Sequence, residues 1–128
     1  MSQTAKPPAR GEPLIRTQPM PSDVNANGDI FGGWVLSQMD IAGGTAASQR
    51  ARGRVATVAV QAMTFNQPIR VGDLVSIYGR VSRVGRTSIT VSLETVVVRQ
   101  LDPTEIKVTE GDFVYVAIDE QGRPRPIA

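Results

Sequence analysis

The sequence has 128 residues, of which 41% are apolar and 20% are charged, and its net charge is +2. This length fits a single domain with a proper hydrophobic core, and so small a charge does not indicate a nucleic-acid partner. Because the chain has neither histidine nor cysteine, it excludes a Ser-His-Asp triad, a cysteine nucleophile, a zinc site of cysteine or histidine and a histidine-dependent dehydratase.

The residue types that remain for catalysis are carboxylates, hydroxyls, lysine and arginine, together with backbone dipoles or an oxygen-bound metal. No motif indicates a metal site, and we expect none. No apolar run is long enough to cross a membrane, so we expect no membrane segment. A chain without cysteine gives no sign of an oxidising compartment, and the expected location is the cytoplasm.

The N-terminal residues 1–12 contain prolines and almost nothing to bury, and we predict a disordered tail. The folded domain is predicted to span residues 13–120, with residues 121–128 as a C-terminal tail. Within the domain, Leu14–Thr17 is a short strand candidate that ends before two prolines. The loop Asn25-Ala26-Asn27-Gly28-Asp29 follows, in residue types that accept left-handed backbone and bond their own main chain.

Apolar residues at helical spacing predict one long helix over Phe31–Arg50, closed by Gly53. Between Gly33 and Ser48 the only charged side chain is Asp40. A helix this apolar is normally buried, and an unpaired buried carboxylate is costly. Asp40 is therefore either a structural residue, paired with a distant arginine or lying on a wet strip, or an acid–base or nucleophilic group in a cleft.

Two glycine pairs flank this aspartate, and both affect how it can act. Gly32-Gly33 opens the helix, where unpaired N–H groups can approach a ligand at the positive end of the helix dipole. Gly43-Gly44 lies one turn beyond Asp40 and lowers helix propensity by about 1–2 kcal/mol. We expect close packing or a ligand to compensate for that cost.

The rest of the chain reads as strands. Arg54–Phe65 is apolar on both faces, which predicts a strand covered on two sides. Alternating residues on either side of Gly85-Arg86 predict a hairpin, and Ile106–Ile118 predicts a last strand with a bulge or register break at Gly111. The fold class is therefore α+β, with one helix covering one face of four or five antiparallel strands. With a single helix, we expect the sheet edge to find a second copy.

Four blocks of this sequence resemble the hotdog-fold acyl-CoA thioesterases, and within them the YciA-type branch. The blocks cover nearly everything from Leu14 to Asp119, and are the following: Asn25–Trp34 with Ser37–Asp40, Gly53–Val60, Pro68–Asp73 and Val84–Ile89. The resemblance implies a hotdog fold, in which a bent antiparallel sheet of about five strands wraps one long central helix. It also implies hydrolysis of fatty acyl-coenzyme A to fatty acid and coenzyme A, with no cofactor.

The resemblance further assigns roles to residues. Asp40 matches the catalytic carboxylate of the family, and Asp29 matches a loop position that faces this carboxylate from the neighbouring subunit. It implies a homodimer that assembles into a hexamer, as a trimer of dimers. From turn chemistry alone, Asp29 could equally be a turn residue beside Gly28.

The chemistry of a thioester agrees with these assignments. Asp40 would activate a water as general base or attack the carbonyl directly, while the N–H groups of Gly32 and Gly33 would form the oxyanion hole. The candidate substrate-binding residues are Asn27 and Phe31 in the loop and Arg83, Arg86, Thr87 and Ser88 at the hairpin turn, where coenzyme A phosphates need cations and hydroxyls. The alternative for these arginines is a solvated hairpin tip. For Trp34 and Phe65, we expect core positions rather than a role in lining the acyl tunnel. For the whole chain, the alternatives are a non-catalytic acyl-CoA-binding module or a structural oligomer.

Overall fold

A computed structural model describes residues 11–128, so nearly all of the predicted tail 1–12 lies outside the described residues. The elements in chain order are β1 (Ile15–Thr17), a 3-10 turn (Pro21–Asp23), α1 (Gly32–Ala51), β2 (Val55–Phe65), β3 (Leu74–Val84), β4 (Ser88–Val98) and β5 (Glu105–Ala117). The predicted α+β class is thus confirmed, and the predicted bounds of the helix and the strands differ from these by at most two residues.

The strands form one sheet in the order β1-β3-β4-β5-β2, and every neighbouring pair is antiparallel. The predicted hairpin is the β3–β4 pair, whose turn begins at Gly85, where the Gly85 N–H donates to the carbonyl of Ser88. Helix α1 packs across one face of this sheet and closes the hydrophobic core.

Helix α1 is buried along one stripe only. Val35, Met39, Ala42 and Ala47 face the sheet and are buried, whereas 57% of the Ile41 side chain is exposed. Positions 33, 37, 41 and 45 recur on that uncovered face at a spacing of one turn. The expectation of a helix buried on most sides is therefore wrong for the isolated chain.

Strand β2 is also less covered than its sequence predicts. It is an edge strand, and 57% of Val58 and 43% of Val60 are exposed. The prediction of a strand covered on two sides is wrong within one chain, because these apolar side chains remain exposed. The predicted register break is present, but β2 carries it: Gln61 pairs with Asp112 and Thr64 with Glu110, so two β2 residues lie opposite Gly111.

The C-terminal end of α1 is closed by residues far apart in the chain. Arg52 is the left-handed residue (φ 56°), and its N–H donates to the carbonyl of Ser48. The Gly53 N–H also donates to the carbonyl of Ser48, so the helix closes at Gly53 as predicted, although the left-handed backbone is that of Arg52. Gly53 lies against the guanidinium of Arg125, which leaves no room for a Cβ. Arg125 Nη2 donates to the carbonyl of Ala51 over 2.9 Å.

Residues 121–128, predicted as a C-terminal tail, run back along the domain. The Arg125 N–H donates to the carbonyl of Ala117 at 2.9 Å, and the Ile127 N–H donates to the carbonyl of Arg86 at 2.8 Å. These bonds join the segment to the end of β5 and to the β3–β4 turn.

Candidate active site

Asp40 lies in the middle of α1, half-buried, beside the uncovered face of the helix. Its Oδ1 accepts a 2.7 Å hydrogen bond from Thr57 Oγ1 and a 3.0 Å hydrogen bond from the hydroxyl of Tyr115. No arginine or lysine among residues 11–128 forms an ion pair with it. The structural interpretation of Asp40 as the partner of a distant arginine is thus excluded for this part of the chain.

The carboxylate of Asp40 faces an open cavity of about 440 Å³. Thr57 and Tyr115 line this cavity with it, and the other polar side chains of the wall are those of Thr45, Ser48 and Arg54. Burial, and then the charge and hydrogen bond of Asp40, raise the pKa of Tyr115 well above its usual value. The phenol therefore stays protonated and donates to the carboxylate.

The N-terminal end of α1 is open. Phe31 occupies the N-cap in extended conformation (φ −74°, ψ 150°) and its side chain makes no capping hydrogen bond. The N–H groups of Gly32 and Gly33 have no partner among the described residues, and both glycines are exposed. Two free donors at the positive end of a helix suit a developing negative charge.

A second cavity, of about 240 Å³, lies beneath this helix end. Its wall includes Gly32 and the apolar side chains of Ile30, Val35, Phe65 and Val108. The expectation of Phe65 as a core residue is wrong, because 54% of it is exposed and its ring lies against Gly32. An apolar cavity next to free N–H donors suits a carbonyl with a hydrocarbon attached.

One chain does not bring all the predicted catalytic groups together. Gly32 and Asp40 are eight residues apart in α1, which is about 12 Å along the helix axis. They line different cavities, and neither Asp29 nor Gly33 lines the cavity of Asp40.

Asp29 is the last residue of the tight loop 25–29, which is stabilised by hydrogen bonds within the loop. Asn25 Oδ1 accepts hydrogen bonds from the N–H groups of Asn27 (2.9 Å) and Asp29 (3.1 Å), and Gly28 takes the positive φ of 86°. Turn chemistry therefore explains the backbone. The carboxylate of Asp29 has no hydrogen-bond or ion-pair partner within residues 11–128, and the Asn27 side chain is exposed.

The predicted phosphate-binding residues are at the β3–β4 turn. Arg83 and Arg86 are exposed, while Thr87 and Ser88 are half-buried. The carbonyl of Thr87 accepts a hydrogen bond from the Ala117 N–H, one residue before Ile118, which lines the cavity of Asp40. The turn thus lies beside this cavity rather than in it.

Comparison with known proteins agrees with this geometry. Residues 27–103 match the thioesterase superfamily model, a span that includes Asp29, both glycines of the helix start and Asp40. The chain belongs to the thioesterase superfamily.

Named relatives of this superfamily resemble nearly the whole chain. The acyl-CoA thioester hydrolase YciA of Salmonella typhimurium is 50% identical over 122 residues, which cover 92% of this chain and 91% of the relative. The hexameric thioesterase y2039 of Yersinia pestis has a TM-score of 0.86 at 48% identity and covers 92% and 96% of the two chains. The hexameric hotdog-fold thioesterase Cj0915 of Campylobacter jejuni has a TM-score of 0.87 at 39% identity, with 93% and 92% covered. The predicted hotdog fold is confirmed.

Sequence analysis of this thioesterase-superfamily chain missed three residues of the site. Thr57 lies within one of the four resembling blocks, and its hydroxyl was the feature that could have identified it as a site residue. Arg54 lies in the same block, and its guanidinium reaches the carbonyls of Asp119 and Glu120. No local signal indicated Tyr115, since it lies 75 residues from Asp40.

The described part of this superfamily member has neither a metal-binding cluster nor a membrane-spanning helix. Within residues 11–128, no group of three or more aspartates and glutamates is arranged to hold a metal ion. Over the same residues, no helix is both long and apolar enough to cross a membrane.

Proposed function

We propose that this chain is an acyl-CoA thioesterase, which hydrolyses fatty acyl-coenzyme A to the free fatty acid and coenzyme A. The observation that carries the proposal is the carboxylate of Asp40. Two hydroxyls orient it, no cation among residues 11–128 pairs with it, and it faces an open cavity. Relatives that cover nine-tenths of the chain are named acyl-CoA thioester hydrolases, which supports the same substrate and reaction.

The reaction needs a nucleophile at the thioester carbonyl and donors for the oxyanion. In one route, Asp40 takes a proton from water, the water oxygen bonds to the carbonyl carbon, and the carbon–sulfur bond then breaks. In the other, the carboxylate attacks first and water hydrolyses the resulting anhydride. In both routes the coenzyme A thiolate leaves and takes up a proton, and no cofactor is required.

We infer that the site is shared between two chains. Two α1 helices packed antiparallel through their uncovered faces, with a two-fold axis near residue 36, would place Asp40 of one chain beside Gly32 of the other. This arrangement supplies the N–H donors that lie too far along the helix within a single chain. It also allows Asp29 of the second chain to face Asp40, where it would orient water or hold the loop.

The exposed edge of the sheet supports the same assembly. The apolar side chains of Val58 and Val60 lie on β2 at the open edge, and unpaired edge strands commonly pair with a second copy. We propose a dimer of this kind that assembles further into a hexamer, as a trimer of dimers. The hexameric relatives support the number of subunits.

Coenzyme A brings phosphates, and we propose that the arginines at one end of the Asp40 cavity bind them. Arg54 lines the cavity itself, and Arg83 and Arg86 lie at the neighbouring β3–β4 turn with Thr87 and Ser88. At the helix start, Asn27 and Phe31 are proposed to contact the pantetheine or acyl part. The proposed place of action is the cytoplasm, in keeping with a chain that has no cysteine.

The direct test replaces the carboxylate with its isosteric amide. Asp40→Asn should lower turnover of an acyl-coenzyme A, followed by release of free thiol, by about 10²- to 10⁴-fold, because the amide is neither a base nor a nucleophile. The matched control is Asp112→Asn, which makes the same change at a half-buried aspartate bonded to Ser92, and it should keep its activity.

Two outcomes would overturn the proposal. If folded Asp40→Asn protein released thiol as fast as the unchanged chain, Asp40 would not be the catalytic carboxylate. If the unchanged chain bound acyl-coenzyme A in calorimetry but released no thiol, it would be a binding module rather than an enzyme.

A further inference from the structure

The hydroxyl of Tyr115 reaches Asp40 from inside the core. Tyr115 is 1% exposed, and its hydroxyl lies 3.0 Å from Asp40 Oδ1 and 3.0 Å from the main-chain carbonyl oxygen of the same residue. On the basis of the function proposed above, we propose that Tyr115 is a positioning residue, which fixes the catalytic carboxylate relative to the helix that carries it, and that Gly43 is glycine to admit it.

Gly43 of α1 provides the space for this contact. A Cβ on Gly43 would overlap the Tyr115 hydroxyl and come within 3.1 Å of its ring and 3.0 Å of Leu93 Cδ1, whereas a Cβ on Gly44 would lie 3.8 Å from the ring. The ring therefore packs directly against the helix backbone. This packing offsets the cost of a glycine inside the helix at position 43, whereas a Cβ at position 44 would make only an ordinary contact.

The two hydroxyls near Asp40 donate hydrogen bonds to the same carboxylate oxygen, and neither donates to the other oxygen. Thr57 and Tyr115 both donate to Oδ1, whereas Oδ2 has no hydrogen-bond or ion-pair partner in residues 11–128. Holding Oδ1 fixes the rotation of the carboxylate about its last bond. The free oxygen Oδ2 is then the one that acts on water or on the thioester.

The two donors differ in how firmly they hold. Thr57 is exposed, so water competes for its hydrogen bond. Tyr115 is buried, and its ring packs between the helix and the sheet. Its raised pKa keeps the proton on the phenol. Of the two, Tyr115 is thus the persistent donor, and its loss should loosen the carboxylate more.

The activity test removes the hydroxyl and keeps the ring. Tyr115→Phe should lower kcat by about 10- to 100-fold, the range expected for a hydrogen bond to a charged group. KM should stay within about twofold, since Tyr115 acts through Asp40 rather than on substrate. The matched control is Tyr78→Phe, which removes a buried hydroxyl bonded to Arg16 on the far side of the sheet, and its kcat should not change. Unchanged kcat in folded Tyr115→Phe would overturn the proposal.

A second measurement does not depend on turnover. The carboxylate stretch of Asp40, identified in infrared spectra by its loss in Asp40→Asn, should shift in Tyr115→Phe and not in Tyr78→Phe, because a donor is removed from Oδ1. A shift without any thioesterase activity in the unchanged chain would refute the proposed function and retain the contact. No shift would refute the contact, whatever the activity.

The role of Gly43 is tested by Gly43→Ala alone, which also serves if Tyr115→Phe folds poorly, and by a double-mutant comparison. Gly43→Ala displaces the Tyr115 hydroxyl while keeping the residue, and should lower kcat by a similar 10- to 100-fold. In a Tyr115→Phe background the hydrogen bond is already absent, so adding Gly43→Ala should lower kcat by less than about threefold. Independent, multiplying effects would overturn the link between Gly43 and Tyr115.

Discussion

The two ends of α1 differ in how their free backbone groups are satisfied. At the N-terminus, Gly32 and Gly33 present N–H groups without a side-chain cap or a described partner. At the C-terminus, the carbonyl of Ser48 accepts from the N–H groups of Arg52 and Gly53, and the carbonyl of Ala51 accepts from Arg125. The same helix is thus closed by protein groups at one end and open at the other.

This difference separates a stabilising end from a functional end. Uncapped donors lose the stability that a cap provides, typically about 1 kcal/mol, yet they keep the positive end of the helix dipole available to a ligand. Substitutions at the open end should therefore change turnover with little effect on stability. Substitutions at the closed end should do the reverse.

Of the substitutions at the two ends of α1, the largest effect is expected from removing one donor at the open end. Gly32 is the first helical residue, where proline fits the helix, and Phe31 before it already has the extended backbone that proline requires. Gly32→Pro should lower kcat by about 10²- to 10³-fold, the effect of losing one oxyanion donor, with the melting temperature kept or raised. The matched control is Gly32→Ala, which keeps the N–H and places its Cβ at an ordinary 3.6 Å from Phe65. Equal activity of the two variants would contradict the role of this donor.

Gly32→Pro also tests whether the Asp40 carboxylate and the Gly32 N–H of one active site come from different chains. Within an oligomer mixed from Asp40→Asn and Gly32→Pro chains, a heterodimer has one site with both changes and one intact site. Random mixing should therefore restore activity to about a quarter of the unchanged enzyme. Without any recovery, both groups would have to act within one chain.

At the closed end, the larger effect should come from Arg125. Arg125→Ala leaves the carbonyl of Ala51 without its guanidinium donor and should lower the free energy of unfolding by about 1–3 kcal/mol. Denaturant unfolding measures this, and kcat of the folded protein should not change. Arg123→Ala removes the same charge two residues earlier from an exposed side chain, and an equal loss of stability there would contradict the capping role.

The sequence predicted those features that depend on local periodicity. The helix and the β3–β4 hairpin were found from apolar spacing, and Asp40 was found because it is the one charge in its stretch of helix. Gly43 also gave a correct local signal, since a glycine inside a helix needs compensation, and the packing of Tyr115 against it supplies that compensation.

Other features depend on contacts between distant residues, and local patterns do not contain these. The Tyr115 hydrogen bond joins positions 75 residues apart. Arg125 bonds to Ala51 from a segment whose prolines and arginines predicted a C-terminal tail. The apolar residues of β2 were identified correctly, but a local pattern does not tell whether the same chain covers them. The distance between Gly32 and Asp40 follows from helix geometry, but a local pattern does not show that the two residues line different cavities.

The smallest expected effect is again at the closed end, at Arg52. A residue with a Cβ loses about 1–2 kcal/mol of folded-state stability in this left-handed backbone (φ 56°). Glycine avoids that strain, but its greater entropy stabilises the unfolded state by about 0.4–1 kcal/mol. Arg52→Gly should therefore raise the free energy of unfolding by about 0.5 kcal/mol. Gln49→Gly, at an exposed position inside the last turn, should instead lower it by about 1 kcal/mol. A loss of stability in Arg52→Gly would mean that the Arg52 side chain, rather than the backbone conformation, closes this end of the helix.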